Sequence, residues 1–210
     1  MVEIDPADQE WKENYRIMTT SVLPRPIGWI STRSADGTDN IAPFSHFNTV
    51  CPSPPVIMFS AGDREGGELK HTAQNAIETE EFAFNLVTES LAEQMDNSSA
   101  SLDEGESEFE FAGIERAACE RISVPRVAES PVCMECTLYD ARRVYGNMMV
   151  EGEVTYFHID DALLVDGKID MHKVDAIGRL GGPFYTNIEI MDLTREFYSE
   201  SASGDGTTES

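Results

Sequence analysis

Basic residues are scarce in this chain. Its 210 residues hold 15 Lys plus Arg against 39 Asp plus Glu, a formal charge of −24. Only four of the bases are lysines: Lys12, Lys70, Lys168 and Lys173. Arg142-Arg143 is the one adjacent basic pair. So acidic a chain repels nucleic acid and anionic membrane surfaces, and neither is expected as a partner. Few lysines beside an ordinary 40% hydrophobic content suggest a surface adapted to high salt, where screening removes self-repulsion. A plain solvated acidic face is the alternative.

Long apolar runs are also missing, so no bilayer-spanning helix is expected. The start, Met1-Val-Glu-Ile-Asp-Pro6, lacks the basic and apolar regions of a signal peptide, which points to the cytoplasm. Four cysteines (Cys51, Cys119, Cys133 and Cys136) are too few for a disulfide scaffold of this size. Cys133-Met-Glu-Cys136 is formally a Cys-x-x-Cys, but it sits within a strand pattern, where positions three apart face opposite sides. Cys51 and Cys119 read as core fillers. The four histidines form no His-x-x-x-His pair. Dinucleotide and Walker fingerprints are absent.

What is present is a series of short strand patterns punctuated by turns. Asp5-Pro6 predicts a capped helix running to about Thr20, with Trp11, Tyr15, Ile17 and Met18 on its apolar face. Leu23-Pro-Arg-Pro26 ends it. Residues 27–34 read as a strand leading into an Asp36-Gly37 hairpin turn, with 40–42 and 47–50 as extended candidates after it. Residues 56–60 and 82–87 read as further strands. A helix is predicted over residues 70–80 with Thr72 near its start. Another begins at Ser90, with Glu93 completing a capping box. Residues 97–110 form a polar loop. Residues 131–142 and 148–159 form a long hairpin about Tyr145-Gly-Asn147, and Asp166-Gly167 makes a further turn. Residues 199–210, rich in Ser, Gly and acids, read as a disordered acidic tail after a single domain over residues 1–198. Many short strands with few helices imply a mainly β fold, an antiparallel barrel with peripheral helices.

Three segments could carry chemistry. In the first, Pro24-Arg-Pro-Ile-Gly-Trp-Ile-Ser-Thr32 precedes Asn40-Ile-Ala-Pro-Phe-Ser-His-Phe-Asn48. Hydroxyls at a strand end and an irregular Ala-Pro-Phe-Ser stretch suit a flat, polar-edged heterocycle. They equally suit a strand end and a Pro-kinked bridge. The second is Lys70-His71-Thr72, where a lysine at a helix start opposes the helix dipole unless an anion compensates; ordinary capping is the alternative. The third, Ile177-Gly-Arg-Leu-Gly-Gly-Pro-Phe-Tyr185, permits close backbone approach and adds Arg179 and Tyr185. A structural turn would look the same.

Taken in order, these segments resemble the flavin reductase family, the FMN-binding split-barrel and flavoredoxin-like proteins. Pro54-Pro-Val-Ile-Met-Phe-Ser60, Phe84-Asn-Leu-Val87 and Pro125-Arg-Val-Ala-Glu-Ser-Pro-Val132 extend the similarity over about residues 5–186. The resemblance implies a six-stranded Greek-key split barrel, a homodimer, and noncovalent FMN near the subunit interface. Ser31 and Thr32 would meet the ribityl–phosphate region. Ala42, Pro43, Phe44, Ser45 and Asn48 would line the flavin edge. Lys70, His71 and Thr72 would hold the phosphate, Tyr185 would lie near the isoalloxazine, and Arg179 would meet a nucleotide or phosphate. The implied activity is hydride transfer from NAD(P)H to flavin and on to an acceptor such as a partner monooxygenase. An electron carrier or flavin store without NAD(P)H activity uses the same pocket. No catalytic side chain and no metal is implied.

Overall fold

The computed structural model describes residues 1–103 and 105–193. The predicted tail at 199–210 lies outside the described residues. The strands are β1 (Gly28–Arg33), β2 (Asp39–Phe44), β3 (Phe47–Pro52), β4 (Pro55–Gly62), β5 (Glu81–Asn85), β6 (Arg116–Ala117), β7 (Arg126–Val127), β8 (Val132–Val144) and β9 (Asn147–Ile159). Three short strands follow in the order β10 (Leu164–Val165), β11 (Lys168–Ile169) and β12 (Ile177–Arg179), and β13 (Tyr185–Asn187) comes last. The main sheet is antiparallel, in the order β2-β1-β5-β8-β9-β4-β3.

β2 and β3 occupy the two edges of this sheet, yet only Ser45 and His46 separate them. At the bend the Ser60 amide donates to the His46 carbonyl at 2.8 Å. One bent strand therefore joins both edges and closes the sheet into a split barrel. Counted once, it gives the expected six strands. The barrel interior is apolar, filled by Ile30, Phe44, Ile57, Phe59, Phe82, Phe84, Val150 and Val154. Phe59 meets Phe82 edge-on with ring centroids 5.4 Å apart, a favoured aromatic geometry.

β1 is covered on both faces. Ile30 points into the barrel, while Trp29 packs outward with Ile41, Met95, Phe109 and Val127. This second core lies beneath α3 (Ala92–Asn97) and α4 (Glu108–Phe111). The indole of Trp29 donates to Ser98 Oγ at 2.9 Å, which satisfies its buried N–H.

The predicted N-terminal helix is divided. Asp5 caps as expected, accepting from the Ala7 amide, but it caps only a 3-10 turn at Pro6–Asp8. α1 (Trp11–Ser21) starts anew after Glu10. Its predicted apolar face is largely bare: Trp11, Tyr15 and Met18 are all exposed. The expected capping box at Ser90 does not form. Ser90 lies inside a 3-10 turn, Glu89–Leu91, and its hydroxyl bonds Thr88 instead. α2 (His71–Glu78) and the long β8–β9 hairpin stand where expected.

Candidate functional site

Two adjoining cavities, of about 290 and 100 Å³, meet at Pro43 and Ser99. Together they reach the size at which small-ligand sites begin, roughly 300 Å³. The smaller one is the polar end. Lys70, His71 and Thr72 line it from the start of α2, with Asn40, Ala42, Arg64, Glu108 and residues 98–102 around them. Lys70 is the N-cap of α2, and no side chain caps the helix. The first-turn amides of α2 therefore have no partner within the helix, and their partial positive charge adds to Lys70 and Arg64. Arg64 donates to His71 Nε2 at 2.6 Å, so that ring nitrogen carries the lone pair.

A buried network floors this end. Asn40 accepts from Thr72 at 2.7 Å and from Thr32 at 3.2 Å, and donates to Glu108 Oε2 at 2.7 Å. Burial raises the Glu108 carboxyl above its ordinary range, against the hydrogen bonds it accepts.

The larger cavity is bounded by Ser45, Arg25, Asp96, Arg179 and Tyr185. Arg25 and Arg179 are paired through their backbones, each amide donating to the other's carbonyl at 3.0 and 2.9 Å. The Arg25 guanidinium donates to the carbonyls of Thr19 and Val22 at the end of α1, to Leu180 O at 2.9 Å, and to Ser45 Oγ at 3.3 Å. It thus ties a helix C-terminus, where a cation is favoured, to the glycine-rich loop. In that loop the glycines serve the protein's own packing. A Cβ at Gly181 would lie 2.3 Å from Thr20 Cγ2, and Gly182 adopts φ +61°.

The structure thus brings together Ala42, Pro43, Ser45, Lys70, His71, Thr72, Arg179 and Tyr185 along one groove. Four expected residues are elsewhere. Ser31 is fully buried on the outer face of β1, where it donates to the Pro125 carbonyl at 2.7 Å. Thr32 is equally buried behind Asn40. Their hydroxyls are engaged because β1 is covered on both faces, which a hydroxyl at a strand end did not reveal. Phe44 alternates inward to the barrel core, and Asn48 sits exposed on edge strand β3. Sequence reasoning missed Arg25, Arg64, Glu108 and the run Ser98-Ser99-Ala100-Ser101. That run, small and hydroxyl-rich directly after a helix, was the available signal for a close-approach wall. Cys133 and Cys136 fall on opposite faces, in separate cores, as expected. Cys119 packs against the Cys133 core, but Cys51 lies half-buried on edge strand β3, not in a core.

The profile of the flavin reductase like domain matches residues 19–174. The chain belongs to the flavin reductase family. Among the relatives of this flavin reductase family member, an uncharacterized protein of Aquifex aeolicus is 39% identical over 172 residues, 81% of this chain and 88% of that one. The crystal structure of nitrilotriacetate monooxygenase component B from Bacillus cereus is similar at 34% identity with a TM-score of 0.89, covering 92% of this chain and 98% of that one. That of Pseudomonas fluorescens 2-nitrobenzoate 2-nitroreductase is similar at 28% identity and 0.83, covering 93% and 98%. Among the described residues, no helix is long and apolar enough to cross a membrane.

Proposed function

We propose that this chain is an FMN-dependent oxidoreductase that takes a hydride from NAD(P)H and passes electrons to an acceptor. The carrying observation is the polarity of the groove: Lys70, Arg64 and the start of α2 gather positive charge at its narrow end, in a chain of charge −24. This donor set fits the phosphate of FMN, and the wider end, walled by Pro43, Arg25 and Tyr185, fits a ring system.

FMN, when bound, supplies the hydride-accepting and electron-passing chemistry. The protein binds, orients and excludes water. Lys70 and Arg64 would hold the phosphate dianion, and the Ser101 hydroxyl offers a further donor; those of Ser98 and Ser99 are already donated to the Met95 and Asp96 carbonyls. Pro43 and Ser45 fix the ring edge, while Tyr185, held by Arg179 and Asp96, bounds the outer face. No side chain need donate a proton for hydride transfer. The acceptor in this reading is free flavin or a partner monooxygenase, in keeping with the name of the Bacillus cereus relative. The working form is a cytoplasmic homodimer, for which the bare apolar face of α1 offers a surface.

An absorbance spectrum of the purified protein with added FMN, recorded anaerobically before and after NADH or NADPH, tests this. A bound flavin spectrum that bleaches on addition is expected. A bound flavin that does not bleach makes the chain an electron carrier or flavin store, and a protein that takes up no FMN overturns the reading altogether.

A further inference from the structure

Outside the groove, one cluster of side chains stands apart. Cys119 Sγ, a Glu135 carboxylate oxygen and a His158 ring nitrogen all lie within 4.8 Å of one another. They come from separate parts of the chain. Glu135 is on β8 and His158 on β9, while Cys119 belongs to the segment that crosses the outer face of that hairpin. Cys133, the register partner of His158, packs against Cys119 and occupies the same face as Glu135 two residues on.

Glu135 is fully buried. Its two oxygens accept the Glu120 and Arg121 amides, each at 2.7 Å, and one of them also meets His158 Nε2 at 2.6 Å. Each carboxylate oxygen has two acceptor positions, so the amides orient the group without using it up. His158 keeps about 20% of its side chain exposed and Cys119 is partly exposed, which leaves a way in from solvent.

We propose that Cys119, Glu135 and His158 form a binding site for a single zinc-like divalent ion. A thiolate, an imidazole and a carboxylate are the ligand types zinc takes, and the mixture is too soft for magnesium or calcium. Bonds near 2.0–2.3 Å set ligand atoms roughly 3–4 Å apart in a tetrahedron, so the three atoms need shift by no more than about an ångström. A water would supply the fourth ligand, since His158 and Cys119 are partly exposed. On binding, the Cys119 thiol proton leaves to solvent, and the ion takes the place of the proton on His158 Nε2, which passes to Nδ1 so that the ring stays neutral. The thiolate and the carboxylate then balance its charge. The Glu120 and Arg121 amides act as the outer shell that holds the carboxylate in place. The ion would clip the 119–124 segment onto the barrel, where Ser123 is already pinned to Glu81 at 2.8 and 2.7 Å.

The test titrates full-length protein, freed of metal by a chelator and kept reduced, with Co2+ while absorbance is recorded. Saturation at one ion per chain is expected, with thiolate-to-metal charge transfer in the near ultraviolet and the visible bands of tetrahedral Co2+. Cys119→Ser and His158→Ala should each weaken binding by more than the roughly 10–100-fold that losing an outer-shell partner costs. Cys51→Ser, on the edge strand, should bind as the parent does. Circular dichroism confirms that each variant is folded. Absence of saturable Co2+ binding overturns the proposal. So does binding that survives in folded Cys119→Ser and His158→Ala, or Cys119 and Cys133 recovered from the metal-free protein as a disulfide that reductant cannot open.

Discussion

The guanidinium of Arg179 lies over the ring of Tyr185, 4.4 Å from its centroid, and also donates to the hydroxyl of that same tyrosine. The hydroxyl in turn donates to Asp96 at 2.8 Å. One cation thus grips both face and edge of an aromatic at the mouth of the groove. The arrangement joins the glycine-rich loop to α3, two elements far apart in sequence.

Removing that grip should loosen the groove. Arg179→Ala is expected to cost about 1 kcal/mol of stability, the usual scale for a hydrogen bond with a partly exposed cation–π contact. Arg179→Lys should not restore it, because an ammonium cannot serve ring and hydroxyl together. Urea unfolding of both variants measures this. Burial and then the Asp96 bond raise the Tyr185 hydroxyl above its ordinary range. In an alkaline titration it should ionise later than tyrosine in solution, and Tyr185→Phe should remove that late step. The stability held by the neutral hydroxyl is whole below the solution value and is lost as pH rises through the folded one.

The phosphate end gives a sharper number. Lys70→Ala should weaken FMN binding by about 1.5 kcal/mol, roughly tenfold, since one charge-assisted bond is lost. Arg64→Ala should weaken it as well and leave His71 without its partner. Riboflavin, which has no phosphate, should bind parent and variants alike. Fluorescence titration with both ligands reads the difference; equal losses for riboflavin would mean the side chains hold the fold and not the phosphate.

Much of this was legible beforehand, and the reasons differ by element. Turn chemistry placed the hairpins well: Asp36-Gly37, Tyr145-Gly146 and Asp166-Gly167 all turn where expected, Gly37 and Gly167 with positive φ. Lys70 stood out because a lysine at a helix start opposes the dipole, and it does line the groove. Ser31 and Thr32 misled because burial on both faces of β1 depends on what packs across it, namely α2 and the segment near Pro125. Arg25 and Glu108 were invisible for the same reason. Their roles arise from partners 155 and 68 residues away, Leu180 and Asn40, which no local pattern encodes. The apolar stripe of α1 had the right period and the wrong destination, since periodicity reports a face and not what covers it.

Glu108 places a carboxyl in the wall of a cavity that otherwise collects positive charge. Its raised value means that folding favours the protonated form. That contribution is whole below the unfolded value and is lost as pH rises through the folded one. Glu108→Gln keeps an acceptor for Asn40 and Ile41 and cannot ionise. It should flatten the fall in stability above that range and tighten FMN binding once pH passes the folded value, where the ionised carboxylate of the parent opposes the phosphate. Melting temperature and FMN affinity, each followed as pH is raised from the ordinary carboxylate range upward, check both effects. A variant that binds FMN no better than the parent at every pH would show that Glu108 is already neutral there.

Most acidic side chains have no basic partner to meet, because 39 carboxylates face 15 Lys and Arg. Arg33 and Arg116 even converge on one of them, Asp39, at 2.7 and 3.0 Å. Self-repulsion therefore opposes the compact state at low ionic strength, and salt relieves it over a screening length that falls from about 30 Å at 0.01 M to about 3 Å at 1 M. The melting temperature should climb as KCl is raised across that range, and a chain fully stable in dilute buffer would refute a salt-adapted surface. The same field acts on a phosphate approaching the groove. FMN affinity should first rise with salt, as long-range repulsion is screened, and fall only when the attraction of Lys70 and Arg64 is screened too. A steady decline from the lowest salt would mean that these two cations, and not the surrounding acids, set the potential at the narrow end of the groove.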